Sequence, residues 1–243
     1  MKVAIYYVLL CIFSFLIAFS VLTPVRIIAQ TLLPTSNMNG WQFDDLAGNL
    51  WQGEMQLRNQ QGLNANINWH IQVSHIFSDQ SVILVHVKTA QSKLDLGSSF
   101  NGLSPAFKLQ GLLDSQEISA KLDLPNQASM TGDIEIESLF VEDLPPYYVT
   151  SGHAHWSGGR VSANRKTNSL PALNISIKSE QDGLKIRLSE KQTEINLIDI
   201  IATPGQQAEI QLAQRLLTLT KQGALSDNER DYVIRFTEKL TFF

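Results

Sequence analysis

The sequence predicts an all-β domain carried behind one N-terminal transmembrane helix. Three observations predict it: an uncharged apolar run from Val3 to Leu22, period-two alternation of apolar and polar residues through much of the remainder, and turn residues recurring between the alternating stretches. The run's twenty residues, at about 1.5 Å each, span roughly 30 Å, the thickness of a bilayer's hydrocarbon core. Alternation sends successive strand side chains to opposite faces, so each stretch has one oily and one wet face.

The first element is an anchor or a cleaved leader. A leader's apolar region is usually ~7–15 residues; this one is longer and includes Phe13, Phe15, Leu16, Ile17 and Phe19, although Ala18-Phe19-Ser20 offers small residues at a cleavage spacing. Length favours an uncleaved anchor. Lys2 and the terminal amine lie before the run, which by the positive-inside rule leaves a short tail in the cytoplasm and the domain outside; Arg26 on the far side reduces the asymmetry. The expected organisation is tail and anchor over 1–26, a connector over 27–40 with turn residues Leu33-Pro34-Thr35-Ser36-Asn37, and a β-domain over 41–243.

The clearest strand joins Leu63, Ala65, Ile67, Trp69, Ile71 and Val73, separated by Asn64, Asn66, Asn68, His70 and Gln72. Similar alternation predicts strands at Ile118, Ala120, Leu122 and Leu124, at Leu173, Ile175 and Ile177, and at Leu184, Ile186 and Leu188. Asp182-Gly183 between the last two predicts a hairpin, because that pair tolerates positive φ. Leu144-Pro145-Pro146-Tyr147 is the best candidate for a crossing at the midpoint. Toward the C-terminus, Ile210 to Lys221 reads as a helix with Ala208, Leu212, Leu216 and Leu219 on one stripe, and Tyr232, Ile234 and Phe236 read as a final strand. The whole suggests an antiparallel sheet of about ten or more strands. Its oily face must curl over itself or be buried against something.

Composition narrows the function. The 243 residues carry a formal charge of -4; without Lys2 and Arg26 the remainder has 17 bases against 23 acids. Nucleic-acid binding, which needs basic stripes, is excluded on that balance. A polybasic grip on anionic lipid is excluded likewise. The only cysteine, Cys11, lies in the apolar run, so the domain has neither a disulfide framework nor a thiolate metal site.

No catalytic constellation stands out. Gly97-Ser98-Ser99 and Trp156-Ser157-Gly158 lack the glycine-flanked elbow of hydrolases, and no phosphate-cradling loop is present. His153 and His155 share a strand face and His70, His75 and His86 lie elsewhere, but polar-face histidines explain them better than a metal. Glu135 and Glu137 read as solvated charges. No catalytic residue, cofactor or metal is expected.

The most specific local feature is Gly48-Asn49-Leu50-Trp51-Gln52-Gly53, echoed by Gly152-His153-Ala154-His155-Trp156-Ser157-Gly158-Gly159. Each sets a tryptophan between glycines at the expected start of a strand, where glycine permits a bulge or close approach and the indole covers the gap. The plain reading is a packing device; the functional one is an aromatic contact for a partner. Gly48, Trp51, Gly53, Trp69, Gly152 and Trp156 are therefore the candidate interaction or structural motif.

Together these residues resemble the type II secretion system protein N family. The resemblance rests on the single N-terminal span, Leu33-Pro34, and Leu46-Ala47-Gly48-Asn49-Leu50-Trp51-Gln52-Gly53, which is similar to the family's Leu-x-Gly-Thr-Leu-Trp-x-Gly signature with Asn49 in place of the usual Thr. A strand bearing Trp69 follows, and the element around Trp156 also fits. The resemblance implies a non-enzymatic, accessory inner-membrane component of the machine that exports proteins across the Gram-negative outer membrane. It implies a periplasmic β-domain akin to the curved, partly folded-over sheets of AsmA-type envelope proteins, with other secretion components as partners. Two mechanisms compete: a membrane-confined module that docks on those components, or a lipid-binding module holding an acyl chain against Ile67, Trp69, Ile71, Leu122 and Leu124.

Overall fold

Alternating sequence becomes strand over most of the chain. The computed structural model describes residues 14, 23–26, 41–60, 62–75, 81–101, 104–121, 129–144, 147–163, 166–180, 183–203, 207–221 and 225–239. Apart from Ser14, the run Val3–Leu22 lies outside the described residues, as does the connector over 27–40. No helix among the described residues is long and apolar enough to cross a membrane.

The strands in chain order are β1 (Trp41–Gly48), β2 (Gln52–Asn59), β3 (Asn64–Ile71), β4 (Ile83–Lys88), β5 (Lys93–Asn101), β6 (Ser104–Asp114), β7 (Ser129–Met130), β8 (Asp133–Leu144), β9 (Tyr147–Trp156), β10 (Gly159–Ala163), β11 (Lys166–Leu170), β12 (Leu173–Glu180), β13 (Gly183–Glu190), β14 (Asn196–Thr203), β15 (Gln207–Ala213) and β16 (Tyr232–Lys239). Thirteen of them form one antiparallel sheet in chain order, skipping only β7, β10 and β11. Those three make a small second sheet, ordered β11-β10-β7. The protein is all-β, mostly one large antiparallel sheet.

The register aligns the oily positions across almost the whole sheet. One row runs from Trp69 through Val85, Leu96, Leu109, Leu139, Gly152, Ile177, Ile186, Ile200 and Ile210 to Phe236, one residue on each of eleven strands. A parallel row runs from Met55 and Ile67 through Val87, Leu94, Gly111, Ile136, Ala154, Ile175, Leu188, Ile198 and Leu212 to Ile234. Directly paired residues share a face, so both rows lie on one side of the sheet. At about 4.8 Å per strand the first row spans roughly 48 Å.

Most of that face is only half covered. Every side chain of the second row is partly exposed, as are those of the first except buried Gly152 and exposed Phe236. Among the described residues, scattered small side chains such as Ala65, Ala106 and Ala208 are buried, but large buried side chains pack together as a cluster where Trp156, Leu173 and Leu197 form a core. Met130, Val161 and Leu170 of the small sheet pack on it from one side, and Leu216 and Leu219 from the short helix α2 (Gln214–Leu219) join them. A bulge between Leu188 and Ser189 shifts the β13–β14 register just before Leu197, and Leu197 is 1% exposed.

Three sequence expectations need correction. The stretch predicted as a strand at 118–124 opens as helix α1 (Ser115–Lys121), and Leu122 and Leu124 lie outside the described residues. Asp114 caps it: its carboxylate accepts the backbone N–H of Glu117, three residues on. The helix expected over 210–221 is instead the end of β15 followed by the single turn and a half of α2. Leu212 is claimed by cross-strand pairing with Ile198 and Ile234, which outweighs its helical spacing. Leu144 and Tyr147 pair directly, so Pro145-Pro146 joins neighbouring strands rather than crossing between halves. The β12–β13 hairpin is present as expected, with Glu180 opposite Gly183; Gly183 therefore opens β13 instead of occupying the turn centre.

Candidate functional site

The glycine-tryptophan motif forms the β1–β2 turn and its lid. Gly48 has φ +98, and a Cβ there would lie 2.4 Å from the Gln52 carbonyl oxygen, so only glycine fits. Asn49 then folds the turn, its Oδ1 accepting the N–H groups of Trp51 (2.9 Å) and Gln52 (3.0 Å). This is an Asx turn, a geometry that a threonine hydroxyl can also close.

Gly53 lies directly across from Trp69 of β3, and a Cβ on Gly53 would sit 2.2 Å from the Trp69 ring. The Trp69 indole N–H donates to the Asn49 carbonyl at 3.2 Å, tying ring to turn. Gly48, Gly53 and Trp69 thus act as one clamp. Trp51 stands apart: its backbone carbonyl accepts from Ile71 N–H at 2.6 Å, while its buried indole nitrogen has no partner among the described residues. Pro24 bridges to Asn49, bringing the chain just beyond the apolar run onto this turn.

The second tryptophan is placed differently from the expectation. Trp156 is the last residue of β9 rather than the start of a strand, and it is 3% exposed. Its indole N–H donates to the Thr131 carbonyl at 3.1 Å. The glycine beneath it is Gly132, with φ +103 and room for no Cβ: one would lie 2.3 Å from the Gly158 carbonyl and 2.8 Å from the Trp156 nitrogen. Gly152 serves another purpose, sitting buried against the Ser138 carbonyl where β8 bulges between Ile136 and Ser138. The structural counterpart of Trp156 is therefore Trp69, and of Gly53, Gly132.

Charged groups brace the covered end. Arg215 of α2 donates to Glu190 at 3.1 and 3.3 Å and to Glu229 at 3.0 Å. Those bonds hold the Glu190 carboxyl below its usual range despite burial, and raise Arg215. Arg187 grips buried Asp199 with two bonds, at 3.1 and 3.2 Å. On α1, burial pushes the Glu117 carboxyl up, but bonds from Thr89, Ser92, Gln91 and Ala90 outweigh it and hold the group low. These are contacts between elements. His155 Nδ1 lies 3.0 Å from the Leu173 carbonyl and its Nε2 3.1 Å from Lys191 Nζ. No group of three His, Cys, Asp or Glu among the described residues is placed to hold a metal.

Sequence reasoning missed two features. The Asp114-x-x-Glu117 spacing was a readable helix start. The two cross-sheet rows were not readable, since they need the register of every strand.

The description of one family model, type II secretion system protein N, matches residues 39–230. No curated protein matches the chain, and no solved structure does. The match takes in the β1–β2 turn, both tryptophan clamps and every strand of the sheet except β16, so the chain belongs to the type II secretion system protein N family.

Proposed function

We propose that this protein is an accessory, non-catalytic component of the type II secretion system, held in the inner membrane by the run Val3–Leu22. Its β-domain then stands in the periplasm and docks on other secretion components. Family membership supports a role in the system. The observation that carries docking is the thirteen-stranded sheet, with β1 and β16 as terminal strands that, among the described residues, each pair on one side only. An unpaired strand edge offers a row of backbone donors and acceptors to a partner strand. Confinement to the membrane raises the domain's local concentration near partners in the same bilayer.

Affinity purification from detergent-solubilised membranes tests this, together with deletion of the gene. The expected result is co-purification of secretion components and a fall in secreted protein. Recovery of none, with secretion unchanged, removes the proposal.

A second reading is favoured by one observation, the half-covered apolar rows. A face roughly 48 Å long lined by Leu96, Leu109, Ile177, Ile186 and Ile200 suits an acyl chain, as in an AsmA-like lipid-binding module. Mass spectrometry of the protein purified from membranes without added lipid separates the two. Stoichiometric lipid supports the carrier; lipid at no more than the level carried by an unrelated anchored domain leaves docking alone.

A further inference from the structure

The place where the chain leaves the apolar run is fixed by a backbone bridge, and that bridge says which end of the sheet meets the membrane. Leu22 ends the run and Pro24, two residues later, pairs with Asn49 in the β1–β2 turn. Two residues reach about 7 Å at most. The headgroup zone on one side of a bilayer is roughly 6 Å deep, half the difference between total and hydrocarbon thickness. If the run fills the hydrocarbon core, the turn bonded to Pro24 has no length of chain with which to stand clear of that zone.

The turn has the chemistry of an interface. Leu50 at its tip is 40% exposed. Trp51 beside it is half-buried, with its indole nitrogen turned inward and its ring backing the tip. Arg26 is exposed two residues past the bridge. An exposed apolar tip beside a cation on an apolar stem is a pairing that settles at headgroup level. Asp45 and Glu54 are exposed nearby, so the fit is to a zwitterionic surface rather than a strongly anionic one. The far end of the same hairpin, where Trp41 pairs with buried Asn59, carries exposed Phe43, Gln60 and Gly62 and has no bridge to Pro24, which pairs with Asn49.

We infer that the β1–β2 turn, through Leu50 and the neighbouring Arg26, seats in the headgroup region of the bilayer and holds the sheet with this end toward the membrane. The inference rests on the anchored reading above and adds an orientation to it. The Trp69 end of the apolar row then lies next to the lipid, since Trp69 bonds to this same turn.

The test uses the full chain in a Cys11→Ser background, with Leu50→Cys or Gln60→Cys labelled by nitrobenzoxadiazole. Both native side chains are exposed, so neither change threatens the fold. Each labelled protein is reconstituted into phosphatidylcholine vesicles with or without lipid brominated high on its acyl chain. Gln60 lies seven residues along the strand from Gly53, or about 23 Å. The expected result is a quenching ratio at position 50 at least about threefold that at position 60. Equal quenching at both positions, or none at either, with protein floating with the vesicles, overturns the orientation and leaves the anchor standing. Protein that fails to float with vesicles overturns the anchor, and the orientation with it.

Discussion

The same local device occurs at two places in this molecule, and only one of them is buried. At the β1–β2 turn, Trp69 lies on Gly53 and donates to the Asn49 carbonyl at 3.2 Å; in the middle of the chain, Trp156 lies against Gly132 and donates to the Thr131 carbonyl at 3.1 Å. Ring, glycine and carbonyl match. What differs is the second layer: Met130, Val161, Leu170, Leu216 and Leu219 cover the Trp156 core, while Trp69 stays half exposed. A Trp-Gly clamp shapes a strand end; it becomes a core only where other elements close over it.

That contrast is sharpest in truncation. Trp156→Ala is expected to cost about 3–5 kcal/mol of unfolding free energy, as for a large aromatic removed from a core. Trp69→Ala, already part-wetted, is expected to cost no more than about 2 kcal/mol. Urea titration of both variants measures the pair. Equal costs would break the distinction between covered and uncovered ends.

Next in size is the ionic brace. Arg215→Met leaves the Glu190 carboxylate buried without its cation and is expected to destabilise by about 2 kcal/mol at neutral pH. The native Glu190 carboxyl is held below its ordinary value by the bonds from Arg215. Its stabilising effect is therefore complete above the unfolded value of about 4.3 and is lost as pH falls through the lower folded value. Thermal unfolding between neutral and acid pH should show a steeper acid loss for the native chain than for Arg215→Met. Parallel slopes would remove Glu190 from the account.

The smallest effect belongs to the exposed turn. Asn49→Ala removes the acceptor for two turn N–H groups and is expected to cost about 1 kcal/mol, while Asn49→Thr, which keeps an acceptor oxygen, is expected to cost about half as much. Equal losses from both would show that the Asx turn does not hold the strand end.

Much of this was legible in the residues because strand alternation and glycine-bounded turns are local signals. The stretch Leu63–Val73 reads as a strand and forms one to Ile71, and the β12–β13 hairpin sits where two alternating runs meet. The failures are places where a local pattern fits two structures. Ile118 and Ala120 alternate, yet Asp114 capping Glu117 starts a helix. Leu212 has helical spacing to Leu216, yet pairing with Ile198 and Ile234 keeps it in the sheet. Of the candidate site, Gly48, Gly53 and Trp69 come together, whereas Trp51 and Gly152 serve separate places. The glycine under Trp156, Gly132, is 24 residues earlier in the chain, and no local pattern joins them.

Docking within the secretion machinery is tested most directly by photo-crosslinking in intact cells, with a photoreactive side chain at Arg235 on the β16 edge and another at Leu109 in the apolar row. Arg235 is exposed and Leu109 half-buried. The account predicts adducts of defined size with other secretion components from Arg235, lost when the partner is deleted. Adducts from neither position, or adducts with lipid alone at Leu109, would contradict it.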